Sequence, residues 1–153
     1  MGRGGRAVAA GMTTPLVKPL YTARATATGG RSGHAVTDDG QVDVHMKPPK
    51  EMGGPGGGTN PEQLFATGYA ACFQSALGVA GRRQGVNTED SLVEADVTLG
   101  TIGGGGYGLA VTIKVSIPGV AADTVAALAE AAHQVCPYSN ATRGNIEVTL
   151  EAN

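Results

Sequence analysis

Two cysteines, Cys72 and Cys136, are the residues of this 153-residue chain best suited to chemistry. A thiol has three common fates: a thiolate nucleophile or redox partner, a metal ligand, or an inert member of the core. His133-x-x-Cys136 together with Cys72 offers three ligands to zinc, but a lone H-x-x-C lacks the paired spacing of a structural site. Hydrolytic Ser/His/Asp chemistry has no supporting motif, because His34 and His45 fall on predicted strands with no nucleophile elbow. Two glycine-rich stretches are equally uninformative. Residues 47–58 (KPPKEMGGPGGG) lack the Gly-Lys-Ser/Thr ending of a phosphate loop, and Gly103 to Gly106 lead into a strand where a dinucleotide fingerprint would need a helix.

The thiols must be positioned by the elements around them. Thr59 or Asn60 supplies an N-cap, Pro61 suits a first turn, and Glu62 stands three residues after Thr59 as a capping-box acid. A helix is expected from about residue 61 to 83, with Phe65, Gly68, Tyr69, Cys72, Ala76 and Val79 on one stripe. A second helix is expected over about residues 121–135, its inner face carrying Val125, Leu128, Ala132 and then Cys136, with Pro137 ending it. Strands are read at residues 20–28, at 34–37 and 41–46 around an Asp-Gly turn, at 92–102 and 107–117 around the four glycines, and at 145–151. The fold class is α+β: two antiparallel β-sheets around two principal helices, as one domain over residues 16–153.

A buried mid-helix thiol gains nothing from the helix dipole and is hard to ionise, so Cys72 needs a cation to become a nucleophile. Arg31, after the Gly29-Gly30 turn, is a candidate: a guanidinium stays charged and donates several hydrogen bonds. By spacing alone, Arg31 reads better as a solvated turn residue and Glu62 as a cap. Ten residues of unbroken helix separate Glu62 from Cys72 by about 15 Å along the axis and turn them to different faces. An Arg–Glu pair beside the thiol therefore requires a bend, with Gly68 the natural place, or a long side chain bridging the gap. Cys136 ends a helix, where the dipole disfavours a thiolate, a setting better suited to a second, resolving thiol than to the attacking one.

The bulk properties restrict the partners. A net charge of −2 and the lack of a basic stripe argue against nucleic acid. With 41% hydrophobic residues and no long apolar run, the chain reads as globular with no membrane segment. Residues 1–15 are expected to be a flexible N-terminal extension. Their apolar run is too short for a secretory signal, and Met12 could be the native start. The expected compartment is the cytoplasm, which keeps thiols reduced and makes a permanent structural disulfide a poor reading of the pair.

Three segments carry a family resemblance. Residues 58–77 (GTNPEQLFATGYAACFQSAL), 135–148 (VCPYSNATRGNIEV) and 20–33 (LYTARATATGGRSG) resemble the organic hydroperoxide resistance proteins of the OsmC/Ohr superfamily, and the similarity runs in order over about residues 16–153. The resemblance implies an intertwined homodimer with active sites near the subunit interface. It implies a peroxidatic Cys72, a resolving Cys136 and an Arg31–Glu62 pair. It also implies organic hydroperoxides as substrates, reduced to alcohols through a Cys72 sulfenic acid and a Cys72–Cys136 disulfide. The reductant it implies is external, dihydrolipoamide or a lipoylated protein, with no metal or organic cofactor. The alternatives are a peroxidase of the OsmC branch and a non-catalytic redox or metal-binding module.

Overall fold

The computed structural model describes residues 13–153, so the expected extension lies outside the described residues as far as residue 12. Three short strands come first: β1 (Ala25–Thr28), β2 (His34–Thr37) and β3 (Asp43–His45), paired antiparallel in that order. The Asp-Gly turn joins β2 to β3 as expected, with the Gly40 N–H donating to the Thr37 carbonyl. The first strand begins at Ala25 and not at residue 20; its pairing frays at Arg24, whose carbonyl accepts the Asp38 N–H at 3.1 Å.

The long helix α1 (Pro61–Gln84) starts where capping chemistry is richest. Its cap is Asn60, whose side chain accepts the Gln63 N–H at 2.9 Å, while the Gln63 side chain accepts the Asn60 N–H at 3.3 Å. This corrects the expected box by one residue: with Pro61 at the first helical position, the reciprocal partner is Gln63, and Glu62 is left for other work. Gly85, in the left-handed region at φ 70°, ends the helix.

A second sheet follows, with β4 (Leu92–Thr101) and β5 (Tyr107–Ser116) joined by the glycine loop. Helix α2 (Ala122–Val135) leads into a short helix, α3 (Pro137–Thr142), and then into β6 (Val148–Ala152). Two corrections belong here. Pro137 does end α2, but its fixed φ also opens α3, which the sequence reading did not contain. And β6 pairs with β5 in parallel, Ile113 opposite Leu150, so this sheet is mixed and not antiparallel. The helical crossover between β5 and β6 is the connection that permits parallel pairing.

The core lies between α1, α2 and the β4–β5–β6 sheet. Tyr69, Phe73 and Leu77 of α1, Ile113 and Val115 of β5, and Val125, Leu128 and Ala132 of α2 are buried in it with Cys136. The buried face of α1 therefore centres on Phe73, one position round from the expected stripe, and Cys72 stands at its edge, half-buried. The β1–β3 sheet, by contrast, has no buried residue on either face.

Candidate active site

The two cysteines come from different helices and meet. Cys72 lies mid-way along α1; Cys136 caps the end of α2 and the start of α3, its N–H bonded to the Ala132 carbonyl and its own carbonyl accepting the Asn140 N–H. The sulfurs are 3.6 Å apart, as two free thiols. Cys136 is fully buried, whereas Cys72 reaches the surface. Burial pushes the Cys72 thiol above its ordinary range. The Tyr138 backbone N–H, which donates to the sulfur, opposes that rise, and Cys136 adds to it.

Arg31 and Glu62 also meet. The guanidinium grips the carboxylate in a two-point fork, Nη1 to Oε2 at 2.8 Å and Nη2 to Oε1 at 2.7 Å. The turn that carries Arg31, a single 3-10 turn over Gly30–Ser32, depends on glycine: a Cβ on Gly33 would sit 1.7 Å from the Thr28 carbonyl oxygen. The fork holds the Glu62 carboxyl below its ordinary range and raises the guanidinium further. Glu62 is thus more than a first-turn acid; it orients a cation. The Arg31 side chain remains 45% exposed, so donor capacity is left over for a third group.

These two pairs do not come together within one chain. Helix α1 runs uninterrupted through Gly68, and among the described residues no hydrogen bond or ion pair links Arg31 or Glu62 to Cys72. Gly68 has a different use: a Cβ there would come within 2.9 Å of the Tyr138 hydroxyl, so the glycine lets that ring lie against the helix. An apolar cleft of about 470 Å³ is lined by Phe65, Leu109, Tyr138, Ala141 and Ile146 among others. Phe65 and Tyr138 meet in a tilted contact, 5.9 Å between ring centroids. The sequence reading missed Tyr138, which lines this cleft and also donates its backbone N–H to Cys72. The usable signal was Pro137, a helix-starting residue directly after the second cysteine.

His133, weighed above as a metal ligand, turns its Nδ1 to the Ser139 hydroxyl at 2.7 Å. Among the described residues no group of three or more His, Cys, Asp or Glu is gathered to hold a metal ion, and no helix is long and apolar enough to cross a membrane.

Fold and thiol pair together define a two-cysteine α+β protein, and comparison with known proteins gives the family. A family profile described as "OsmC-like protein" matches residues 54–151. The organic hydroperoxide resistance protein of Xanthomonas axonopodis pv. citri is 50% identical over 87% of this chain and 94% of its own length. Two solved structures are close. An organic hydroperoxide resistance protein from Elizabethkingia anophelis, with crystallant-derived thiocyanate bound, has a TM-score of 0.82 at 50% identity, covering 89% of this chain and 99% of its own. The organic hydroperoxide resistance protein OhrB of Bacillus subtilis has a TM-score of 0.80 at 44% identity, covering 87% and 98%. The chain belongs to the OsmC family and, within it, to the organic hydroperoxide resistance proteins.

Proposed function

We propose that this chain is a cysteine-based peroxidase that reduces organic hydroperoxides to alcohols, with Cys72 as the attacking thiol and Cys136 as the resolving one. The observation that carries the reading is the 3.6 Å approach of the chain's two cysteines, one reaching the surface and one buried. The Cys72 thiolate attacks the terminal oxygen of the hydroperoxide; the O–O bond breaks, the alkoxide takes up a proton, and the alcohol leaves. Cys72 is then a sulfenic acid. Cys136 attacks that sulfur, the S–S bond forms as the S–O bond breaks, and hydroxide departs as water with the Cys136 proton. An external dithiol of the lipoyl type returns both thiols, and it meets Cys72 first because Cys136 has no exposed surface. The alkyl group of the substrate lies in the cleft between Phe65, Leu109, Tyr138 and Ile146, whose apolar lining favours bulky hydroperoxides over hydrogen peroxide.

The working unit in this proposal is a homodimer. A three-stranded sheet with neither face buried is not stable alone in water. The segment before it also exposes Leu16 and Leu20, at 81% and 87%. A second copy of the chain covers both, and brings the Arg31–Glu62 fork of one subunit over the Cys72 of the other. That assignment supplies the cation which Cys72 lacks within its own chain.

The test is a thiol count. Reduced protein is titrated with cumene hydroperoxide from below to above one equivalent per chain, with intact mass read in parallel. Loss of both thiols at one equivalent, reversed by dihydrolipoamide, is the expected result. Thiols untouched by peroxide would make Cys72 a core residue and end the proposal.

A further inference from the structure

A buried polar chain lies behind the cysteines, and its spacing is regular. Ser139 is fully buried, three residues after Cys136. Its hydroxyl meets the Tyr69 hydroxyl at 2.8 Å and the His133 Nδ1 at 2.7 Å. Tyr69 stands three residues before Cys72 on α1, and His133 three residues before Cys136 on α2, so each is the helical neighbour of one cysteine. Tyr69, itself fully buried, also reaches the Thr142 hydroxyl at 3.1 Å, and Thr142 donates to the Ser139 carbonyl at 3.2 Å. We infer that Ser139 is a positioning residue for disulfide formation: it ties the helix turn before Cys72 to the helix turn before Cys136 and so sets the distance between the sulfurs. The inference rests on the two-cysteine cycle proposed above.

The polarity of the chain follows from counting protons. Each hydroxyl has one. The Thr142 proton goes to a carbonyl, which can only accept, so Tyr69 must donate to Thr142. Tyr69 having spent its proton, Ser139 must donate to Tyr69. Ser139 in turn can only accept from the ring, so His133 carries its proton on Nδ1. Burial, and then the positive charge of Arg143, lower the His133 pKa, so the ring stays neutral at neutral pH and the Nδ1–H form is a definite tautomer. Arg143 also anchors the same turn from outside, donating to the His133 carbonyl and to the Asn140 side chain. Ordered in one direction, with its three hydroxyls buried and His133 partly so, the chain is fully satisfied, since the described residues leave no buried side-chain polar atom without a partner.

A structural hydroxyl would serve stability alone; a positioning hydroxyl also governs how fast the two sulfurs join. Full-length Ser139→Ala, Tyr69→Phe, His133→Ala and His133→Asn are compared with wild type by rapid quench and intact mass. One oxidant is cumene hydroperoxide. The other is diamide, which drives the same disulfide with no peroxide step. Asn is the informative replacement, because its amide N–H falls near Nδ1 and can donate in its stead. Ser139→Ala and His133→Ala are expected to slow disulfide formation with both oxidants by roughly ten- to a hundred-fold, the scale of a small misplacement of reacting groups. In the peroxide arm they accumulate sulfinic acid on Cys72, while His133→Asn restores the disulfide rate. Tyr69→Phe, the least disruptive change, tests the hub should Ser139→Ala fail to fold. Undiminished disulfide rates in Tyr69→Phe and His133→Ala with diamide would overturn the inference, as would a neutral His133 found in the Nε2–H form by ¹⁵N NMR. A wild-type protein that forms the disulfide with diamide but not with peroxide would sink the peroxidase reading, and the variants' diamide rates would still decide the role of Ser139.

Discussion

Cys72 combines two properties that conflict in a single chain: it must ionise to react, and its surroundings push its thiol up. Only the thiolate attacks peroxide, so the rate constant rises with pH until the thiol is fully ionised. The proposed neighbour is Arg31, whose charge favours the thiolate, and its removal raises the thiol pKa. Stopped-flow rates for Arg31→Ala should therefore show their rise at higher pH than wild type, with a neutral-pH loss of about tenfold for each unit the thiol moves. An unshifted profile would mean that Arg31 does not touch the thiolate. Glu62 shows the opposite sign. Its carboxyl is held below the ordinary range, so the contribution of the fork to stability is complete above that range and lost only as pH falls through the lowered value. Cys136→Ser should leave the first turnover intact yet drive Cys72 to sulfinic acid under excess peroxide, as mass spectrometry would register. Residue type made both thiols legible in the sequence, because a cysteine pair has few uses in the reducing compartment that the sequence reading expects. The separation of their sulfurs was not legible, since it depends on how two helices pack that carry cysteines 64 residues apart. Glu62 was misread as the capping acid because Thr59 and Asn60 are adjacent cappers, each with a suitable partner three residues on. Only the geometry assigns the box to Asn60 and Gln63.

At the level of elements, α1 bears most of the site: Glu62 at its first turn, Tyr69 and Cys72 in the middle, and a glycine contact at its end. Losing the Asn60 cap should cost about 1 kcal/mol of stability. Asn60→Ala also loosens the turn that presents Glu62, so a lower denaturant midpoint should be accompanied by weaker peroxidase activity. Gly81 gives a contrasting case, remote from the thiols. A Cβ there would lie 2.5 Å from the Thr88 methyl and 2.7 Å from the Val86 carbonyl oxygen. Backbone cannot give way as a side chain does, so Gly81→Ala should destabilise by about 1–3 kcal/mol, overriding the ~1 kcal/mol gain in helix propensity. Denaturant melts should show this with the rate per folded molecule unchanged; a stabilised variant would mean that the α1–β4 connection yields more than its contacts imply. The helices could be read from the sequence because capping and periodicity are local signals. The direction of β6 could not. NIEVTLE alternates alike whether it runs parallel or antiparallel, and only the crossover through α2 and α3 decides. The six residues of α3 were hidden for a related reason, being too short for periodicity to register.

The whole molecule poses the question that neither residue nor element answers, which is how a cation reaches a thiol that its own helix holds at a distance. Within one chain the fork sits at the first turn of α1 and the thiol nearly three turns later, on another face. A monomer would leave both half-finished. It would also leave the β1–β3 sheet and the residues before it with apolar side chains in water, Tyr21 84% exposed among them. One arrangement removes both faults: two copies exchange these segments, and each lends its fork to the other's thiol. This predicts complementation between one inactive protein and one severely slowed at neutral pH. Arg31→Ala keeps a thiol and lacks a fork; Cys72→Ser keeps a fork and lacks a thiol. If the site is shared across subunits, hybrids formed by unfolding and refolding the two together contain one complete site, and a statistical mixture regains about a quarter of wild-type activity per chain, half of the dimers being hybrids with one of two sites intact. If fork and thiol serve each other within a chain, no hybrid has both, and the mixture shows no more than the average activity of its parents. Cumene hydroperoxide turnover of the refolded mixture separates the two outcomes directly.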